Sequence, residues 1–227
     1  DQVSGLPQSE GNPRIKAIVR DICENIVTLI EKHDINEGEF WLAIDYLQKA
    51  APEFGLIVAG LGLEHFLDFR LDTKDTEAGI NGGTPRTIEG PLYVSDAPIL
   101  EAQGQLNETD DEGESLSVSG VVRNRDHQPI PGALVHVWHA DSKGHYSYFD
   151  PAQPTFNNRR RIRTSKDGSY AFSSVVPKGY SVPEGGATAK LLSALGRHGS
   201  RPAHIHFFIE APGYRTLTTQ LNIANDP

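Results

Sequence analysis

Two histidines one residue apart, in Arg201-Pro202-Ala203-His204-Ile205-His206, are the first residues of this sequence whose type and spacing suggest chemistry. In a strand, side chains two apart share a face, so His204 and His206 project together while Ile205 points away. Paired imidazoles on one face are a metal-ligand arrangement, although His-x-His on a strand is also a common structural pattern. The one cysteine, Cys23, allows neither an internal disulfide nor a thiolate-built site. No acidic residue stands near enough in sequence to complete a centre of two histidines and one carboxylate. Tyr146, in Lys143-Gly144-His145-Tyr146-Ser147-Tyr148-Phe149-Asp150, and Tyr180, in Pro177-Lys178-Gly179-Tyr180, are further candidate donors. A phenol has a pKa of ~10 and ligates at neutral pH only where a strong Lewis acid displaces its proton. Iron(III) is hard and acidic enough to do so; zinc seldom does. The residues alone leave a bland reading open, in which Tyr180 packs after a turn and Tyr146 at a strand end.

The elements that must position these residues fall into two kinds. Asn12 before Pro13 is a helix start, and Ile15, Ile18, Val19, Ile22, Ile26 and Ile30 then recur at helical spacing. Asn36 with Glu39 is a variant capping box, followed by Phe40, Ile44 and Leu47 as a buried face. A third helix is expected from Pro52 through Leu56, Leu63 and Leu67, ending before Asp72, with Gly60 and Gly62 marking close packing. From about Thr73 the chain becomes irregular. It then turns to strands: Leu116 to Val122, Ala133 to Val137, Arg161 to Thr164, Tyr170 to Val176, His204 to Ile209 and Leu217 to Ile223. Asp167-Gly168 reads as a hairpin turn. The expected class is α+β, with a helical region over residues 1–80 and an antiparallel β-sandwich over 81–227.

Composition narrows the function classes. A net charge of -9 over 227 residues, with no basic stripe, argues against a nucleic-acid partner. No apolar run approaches the ~18 residues of a membrane span, so no membrane insertion is expected. A single cysteine and no signal-like segment at Asp1 fit a cytoplasmic protein. There is no methionine.

Longer motifs carry a resemblance. Gly83-Thr84-Pro85-Arg86-Thr87-Ile88-Glu89-Gly90-Pro91-Leu92-Tyr93-Val94, Val137-Trp138-His139-Ala140 and Tyr146-Ser147-Tyr148-Phe149-Asp150 resemble the intradiol ring-cleavage dioxygenases, of which catechol 1,2-dioxygenases are the nearest kind. So do Arg159-Arg160-Arg161-Ile162-Arg163-Thr164, Val176-Pro177-Lys178-Gly179-Tyr180, Leu195-Gly196-Arg197-His198-Gly199, the stretch from Arg201 to Phe208, and Leu217-Thr218-Thr219-Gln220. The motifs stand in family order, and helical Gly60-Leu61-Gly62-Leu63-Glu64-His65-Phe66 is similar to the family's N-terminal part.

The resemblance implies an Fe(3+) enzyme that inserts both atoms of O2 into catechol and opens the ring to cis,cis-muconate. Tyr146, Tyr180, His204 and His206 would be the metal ligands, Tyr180 and His206 axial, Tyr146 and His204 equatorial. Tyr180, Arg201 and Gln220 would be the catalytic residues, with Ile88, Pro91, Leu92 and Arg201 around the substrate and Tyr93 close by. Plain alternation points Arg201 away from His204, but Pro202 can break it. Tyr146 is preferred to Tyr148 because the family motif tolerates other residues at the second position. The resemblance further implies a homodimer through the helical region, a phospholipid in an apolar tunnel there, and a pocket-covering segment beyond Pro227, so the C-terminal end is expected to be incomplete. His136 and His139 are expected to pack or hydrogen-bond, and the arginines 159 to 161 to be paired charges rather than an anion site. Two alternatives stand beside this reading: hydroxyquinol or chlorocatechol as substrate, and a non-catalytic metal-binding β-sandwich module.

Overall fold

The computed structural model describes residues 1–224 and 226. Its chain contacts form two compact units that divide between Ala51 and Pro52. The first unit holds α1 (Pro13–His33) and α2 (Glu37–Ala50). Asn12 Oδ1 accepts the N–H groups of Arg14 and Ile15, satisfying donors that the helix itself leaves open. At α2 the box is reciprocal: Glu39 N donates to Asn36 Oδ1 at 3.1 Å and Asn36 N to Glu39 Oε2 at 3.0 Å. The apolar stripe of α1 is present as read, yet no residue of that helix is buried. Among the described residues no helix is long and apolar enough to cross a membrane.

The second unit begins with α3 (Phe54–Gly60) and α4 (Leu63–Glu77), where one helix was expected. The break is Gly62, whose φ of 75° ends the first helix and opens the second in a conformation that L side chains resist. The second helix then runs past Asp72. Of the two glycines read as packing positions, only Gly60 packs: a Cβ there would lie 3.6 Å from Leu192, whereas nothing lies within 4 Å of one at Gly62.

Among the described residues ten strands follow: β1 (Ile99–Glu101), β2 (Gln103–Gln105), β3 (Ser115–Val121), β4 (Leu134–His139), β5 (Arg159–Arg163), β6 (Ser169–Val175), β7 (Tyr180–Ser181), β8 (Ser200–Arg201), β9 (His204–Glu210) and β10 (Leu217–Asn222). A further helix, α5 (Ala187–Ala194), lies between β7 and β8 and was not anticipated. The main sheet runs β1-β5-β4-β9-β10, the second β2-β6-β3, and β7 pairs with β8 alone. The sandwich stands as expected, but it is mixed: β1 pairs with β5 and β2 with β6 in parallel. Nor does Asp167-Gly168 make a hairpin between two paired strands, since β5 and β6 belong to different sheets. The tight turn, with Gly168 N donating to Ser165 O at 2.9 Å, instead carries the chain from one sheet to the other. Ala102, at φ 60°, marks the matching crossing between β1 and β2.

The core lies between the sheets. Val135, Val137, Ile162, Ile205 and Phe207 of the main sheet meet Phe172 and Leu106. Alternation sends the intervening Trp138 and Phe208 to the other face, where Trp138 forms a second apolar cluster with Ala140 and Tyr146. His139 closes the core end. One ring nitrogen lies 2.6 Å from Ala140 O, and Nε2 lies 2.9 Å from Ser174 Oγ on β6, tying the two sheets. Only a donor satisfies a carbonyl, so Nδ1 carries the proton and Nε2 accepts.

Burial holds the His139 imidazole neutral, with its pKa pushed down to about 4. Below the ordinary value of ~6.5 the unfolded chain binds a proton that the folded chain refuses. The stability it contributes is therefore complete above that value and is lost as pH falls toward 4. A His139→Gln variant has no such loss. Between pH 7 and pH 5 its stability, measured by urea unfolding, is expected to fall by roughly 1–2 kcal/mol less than that of the parent.

Candidate metal centre and active site

The site sits on the outer face of the main sheet. Register sets Arg159 of β5 opposite Trp138 of β4, Trp138 opposite His206 of β9, and His206 opposite Gln220 of β10. Residues directly opposite share a face, so these four form one row across the sheet. The Trp138 indole stacks on the His206 imidazole at 4.7 Å between centroids and 3° between planes, fixing that ring. His204, two residues earlier, brings its Nε2 to 2.9 Å from His206 Nε2.

Loops bring the phenols to this pair. The loop after β4 is folded by Asp141, whose Oδ1 accepts the N–H groups of Lys143 and His145 at 2.9 and 2.8 Å. Lys178 N donates to Asp141 O at 3.1 Å, joining this loop to the one that leads into Tyr180. The two backbones then touch: a Cβ on Gly144, which has φ +87°, would lie 2.6 Å from Gly179 O. Tyr146 and Tyr180 thereby meet edge to face, with ring centroids 5.2 Å apart at 83°. Tyr180 pairs with Arg201 across β7 and β8. Pro202 separates β8 from β9, so Arg201 escapes the alternation of the histidine strand and turns toward Tyr180 and Gln220. Its Nη1 donates to Tyr180 Oη at 3.3 Å and its Nη2 to Gln220 Oε1 at 3.1 Å.

The cavity beside Tyr180 and Arg201 has a volume of about 200 Å³. Ile88 and Pro91 line it, with Leu56 of α3 and Leu192 of α5 opposite. Leu92 does not line it; its side chain packs with the Trp138 and Tyr146 cluster instead. The segment carrying these residues is pinned by Glu64 of α4, whose Oε1 accepts the N–H groups of Glu89 and Gly90 at 2.6 and 2.9 Å. Gly90, at φ +73°, comes close over the site: a Cβ there would stand 3.8 Å from both Arg201 Nη1 and His206 Cε1.

The donors suit a hard metal ion. Pro202 O accepts from His204 Nδ1 at 2.7 Å, which leaves the Nε2 lone pair facing His206. Burial, then the Arg201 charge, push His204 down to about 4, and burial, then the neighbouring His204, hold His206 well below the ordinary imidazole range. Both rings are therefore neutral and free to ligate at ordinary pH. Tyr146 is raised by burial first and by Tyr180 second, so its phenol keeps its proton unless a Lewis acid takes its place. Its buried oxygen makes no hydrogen bond of good geometry within the described residues. Such an orphaned donor is costly unless another partner, such as a metal, meets it. Among the described residues no group of three or more His, Cys, Asp or Glu is placed to hold a metal.

Several residues escaped the sequence reading. Trp138 was visible only as a motif neighbour of two histidines, and its stacking depends on cross-strand register. Glu64 is 25 residues from the backbone it holds, and Leu192 lies on the unanticipated helix. His136 and His139 hydrogen-bond as expected, His136 Nδ1 lying 3.0 Å from Tyr93 Oη.

A family model described as Dioxygenase matches residues 88–227, and one described as Catechol dioxygenase N terminus matches residues 12–79. The chain belongs to the intradiol ring-cleavage dioxygenase family. Catechol 1,2-dioxygenase 2 of Acinetobacter lwoffii is 55% identical over 221 residues, which are 96% of this chain and 80% of that relative. The crystal structure of catechol 1,2-dioxygenase from Pseudomonas arvilla C-1 matches with a TM-score of 0.96 at 49% identity, covering 99% of this chain and 74% of that one. A chlorocatechol 1,2-dioxygenase of Cupriavidus pinatubonensis is 34% identical over 209 residues, 92% of this chain and 80% of the relative. Membership sets aside the non-catalytic sandwich and implies a non-haem iron centre of the general kind.

The abutting backbones of the two tyrosine loops are the tightest point of this construction. Gly144→Ala adds a left-handed strain of about 1–2 kcal/mol to a backbone clash. A loss of at least ~2 kcal/mol is expected, seen as a lower urea midpoint at unchanged slope.

Proposed function

We propose that this chain cleaves catechol between its two hydroxyl-bearing carbons, inserting both atoms of O2 to give cis,cis-muconate, with Fe(3+) held by Tyr146, Tyr180, His204 and His206. The observation that carries the reading is the convergence of two phenols and two neutral imidazoles beside a cavity with a fixed guanidinium. When bound, iron(III) supplies a Lewis acid that displaces phenol protons and draws electron density from a coordinated diol.

The chain's own groups do the rest. Tyr180 Oη, the more accessible phenol, would as a metal-bound phenolate take up one of the two protons the diol gives up, the other passing to solvent, and Arg201 Nη1 stands at 3.3 Å to keep it in place. Arg201, steadied by Gln220 Oε1, sets a permanent positive charge where negative charge develops on the ring. Ile88 and Pro91 exclude water from the ring, while Leu92 supports the site from the Trp138 side. Trp138 keeps His206 from rotating.

Catechol is favoured over chlorinated or hydroxylated rings by the higher identity to catechol 1,2-dioxygenases, 55% against 34% for the chlorocatechol enzyme. The reading extends to a cytoplasmic homodimer that holds a phospholipid, for which the unburied apolar stripe of α1 speaks.

The iron-loaded protein is expected to show a broad phenolate-to-iron(III) band that moves to longer wavelength when catechol is added without oxygen. A protein that stays colourless after iron(III) is supplied would sink the proposal. Tyr146→Phe is expected to weaken iron retention and cut turnover at least 100-fold, on the scale of losing a catalytic group. Full iron and full activity in that variant would transfer the role to Tyr148. Turnover on catechol, 4-chlorocatechol and hydroxyquinol, followed by oxygen uptake, ranks the substrates.

A further inference from the structure

Of the arginines at 159 to 163, two pair with acids, and the partly exposed Arg161 donates Nε to Ala97 O at 2.6 Å. Arg160 pairs with Glu108 at 3.1 Å and Arg163 with Glu101 at 3.4 Å, as expected of structural charges. Arg159 does not. It is 1% exposed, and no carboxylate lies within ion-pair distance of it among the described residues. Its three hydrogen bonds all go to neutral oxygens: Nε to Ser147 Oγ at 2.9 Å, Nη2 to Ser147 O at 3.1 Å, and Nη1 to Leu92 O at 2.7 Å. A buried charge without a counter-ion costs several kcal/mol, so its persistence asks for a compensating group. The guanidinium carbon stands 5.6 Å from the centroid of the Tyr146 ring and 6.0 Å from that of Phe149. Of these neighbours only Tyr146 can carry negative charge.

We propose that Arg159 is a positioning residue for the reaction: it locks the Tyr146 loop to the pocket segment at Leu92 and sets a fixed positive charge against the face of the Tyr146 ring. The proposal rests on the reading of Tyr146 as an iron ligand. Bound to iron, that ring is anionic, and its electron-rich face then matches the cation above it. Arg159 also occupies one end of the row that runs through Trp138 and His206 to Gln220. One side chain thus holds a ligand loop and a pocket segment to the sheet that bears the histidines.

The test compares the full chain with Arg159→Met, Arg159→Lys and Tyr146→Phe, each loaded with iron(III). Met and Lys both lose the three-point anchorage, but only Lys keeps the charge. Loss of a positive charge beside the phenolate raises its donor level more than it affects the more distant metal. The Arg159→Met band is therefore expected at longer wavelength, by on the order of ten nanometres or more for a unit charge at this separation. Arg159→Lys is expected to return most of that shift while keeping a raised KM, because the Leu92 segment has lost its tether. Turnover per bound iron is expected to fall about tenfold in Arg159→Met, one pKa-unit equivalent of lost stabilisation.

Identical band positions in the Met and Lys variants, or a Met variant with the parent's band and KM, would overturn the proposal. If Arg159→Met does not fold, the Lys variant decides alone: an unchanged KM removes the anchoring role. If Tyr146→Phe leaves the parent band untouched, the ligand reading fails first and this proposal with it.

Discussion

Alternation along β9 is the constraint on which the rest of the structure depends. A strand has two faces, and this one is asked to serve both: Ile205 and Phe207 fill the sandwich core, while His204 and His206 open on the other side. A slip of one residue against β4 would exchange the two sets, placing imidazoles in the core and aliphatics in the site. Apolar burial and site geometry are therefore enforced by the same register. The energy that keeps the histidines aligned is largely the hydrophobic energy of the residues between them.

On that fixed face, mobile-looking material is made rigid by hydrogen bonds rather than by packing. The loop with Tyr146 folds on Asp141, the segment with Ile88 and Pro91 hangs from Glu64, and Arg159 joins the two at Ser147 and Leu92. Each anchor is a long-reaching acidic or basic side chain that hydrogen-bonds backbone groups, a directional bond in a partly buried setting. The site thus has a hydrophobic floor and a polar scaffold over it. Functional groups arrive from five segments far apart in sequence.

The sequence made part of this legible for reasons that can be stated. Helix starts at Asn12 and Asn36 were readable because caps act within four residues, and the faces of β9 because alternation is local. The parallel pairings of β1 and β2 and the passage between sheets at Asp167-Gly168 were not, because each is decided by partners elsewhere in the chain, and the division of one helix at Gly62 was missed because that glycine was read as a packing position rather than a left-handed one. The proposed ligands show the same limit. His204 and His206 announced themselves by spacing, whereas Tyr146 and Tyr180 stood as candidate donors beside a plain packing reading until the family motifs were compared. Arg159 was read with its neighbours as a paired charge, since nothing in a run of arginines tells which of them is buried without an acid.

The partners Trp138 and His206 stand 68 positions apart along the chain, and β1 and β5 stand 62 apart. Such pairings close large loops, and their entropy is lost before any contact repays it. No short stretch of the polypeptide can rehearse the arrangement of the two phenols and two imidazoles. The site comes into being only once the distant strands have docked, late in assembly, so that a partly folded chain holds none of the chemistry of the finished one.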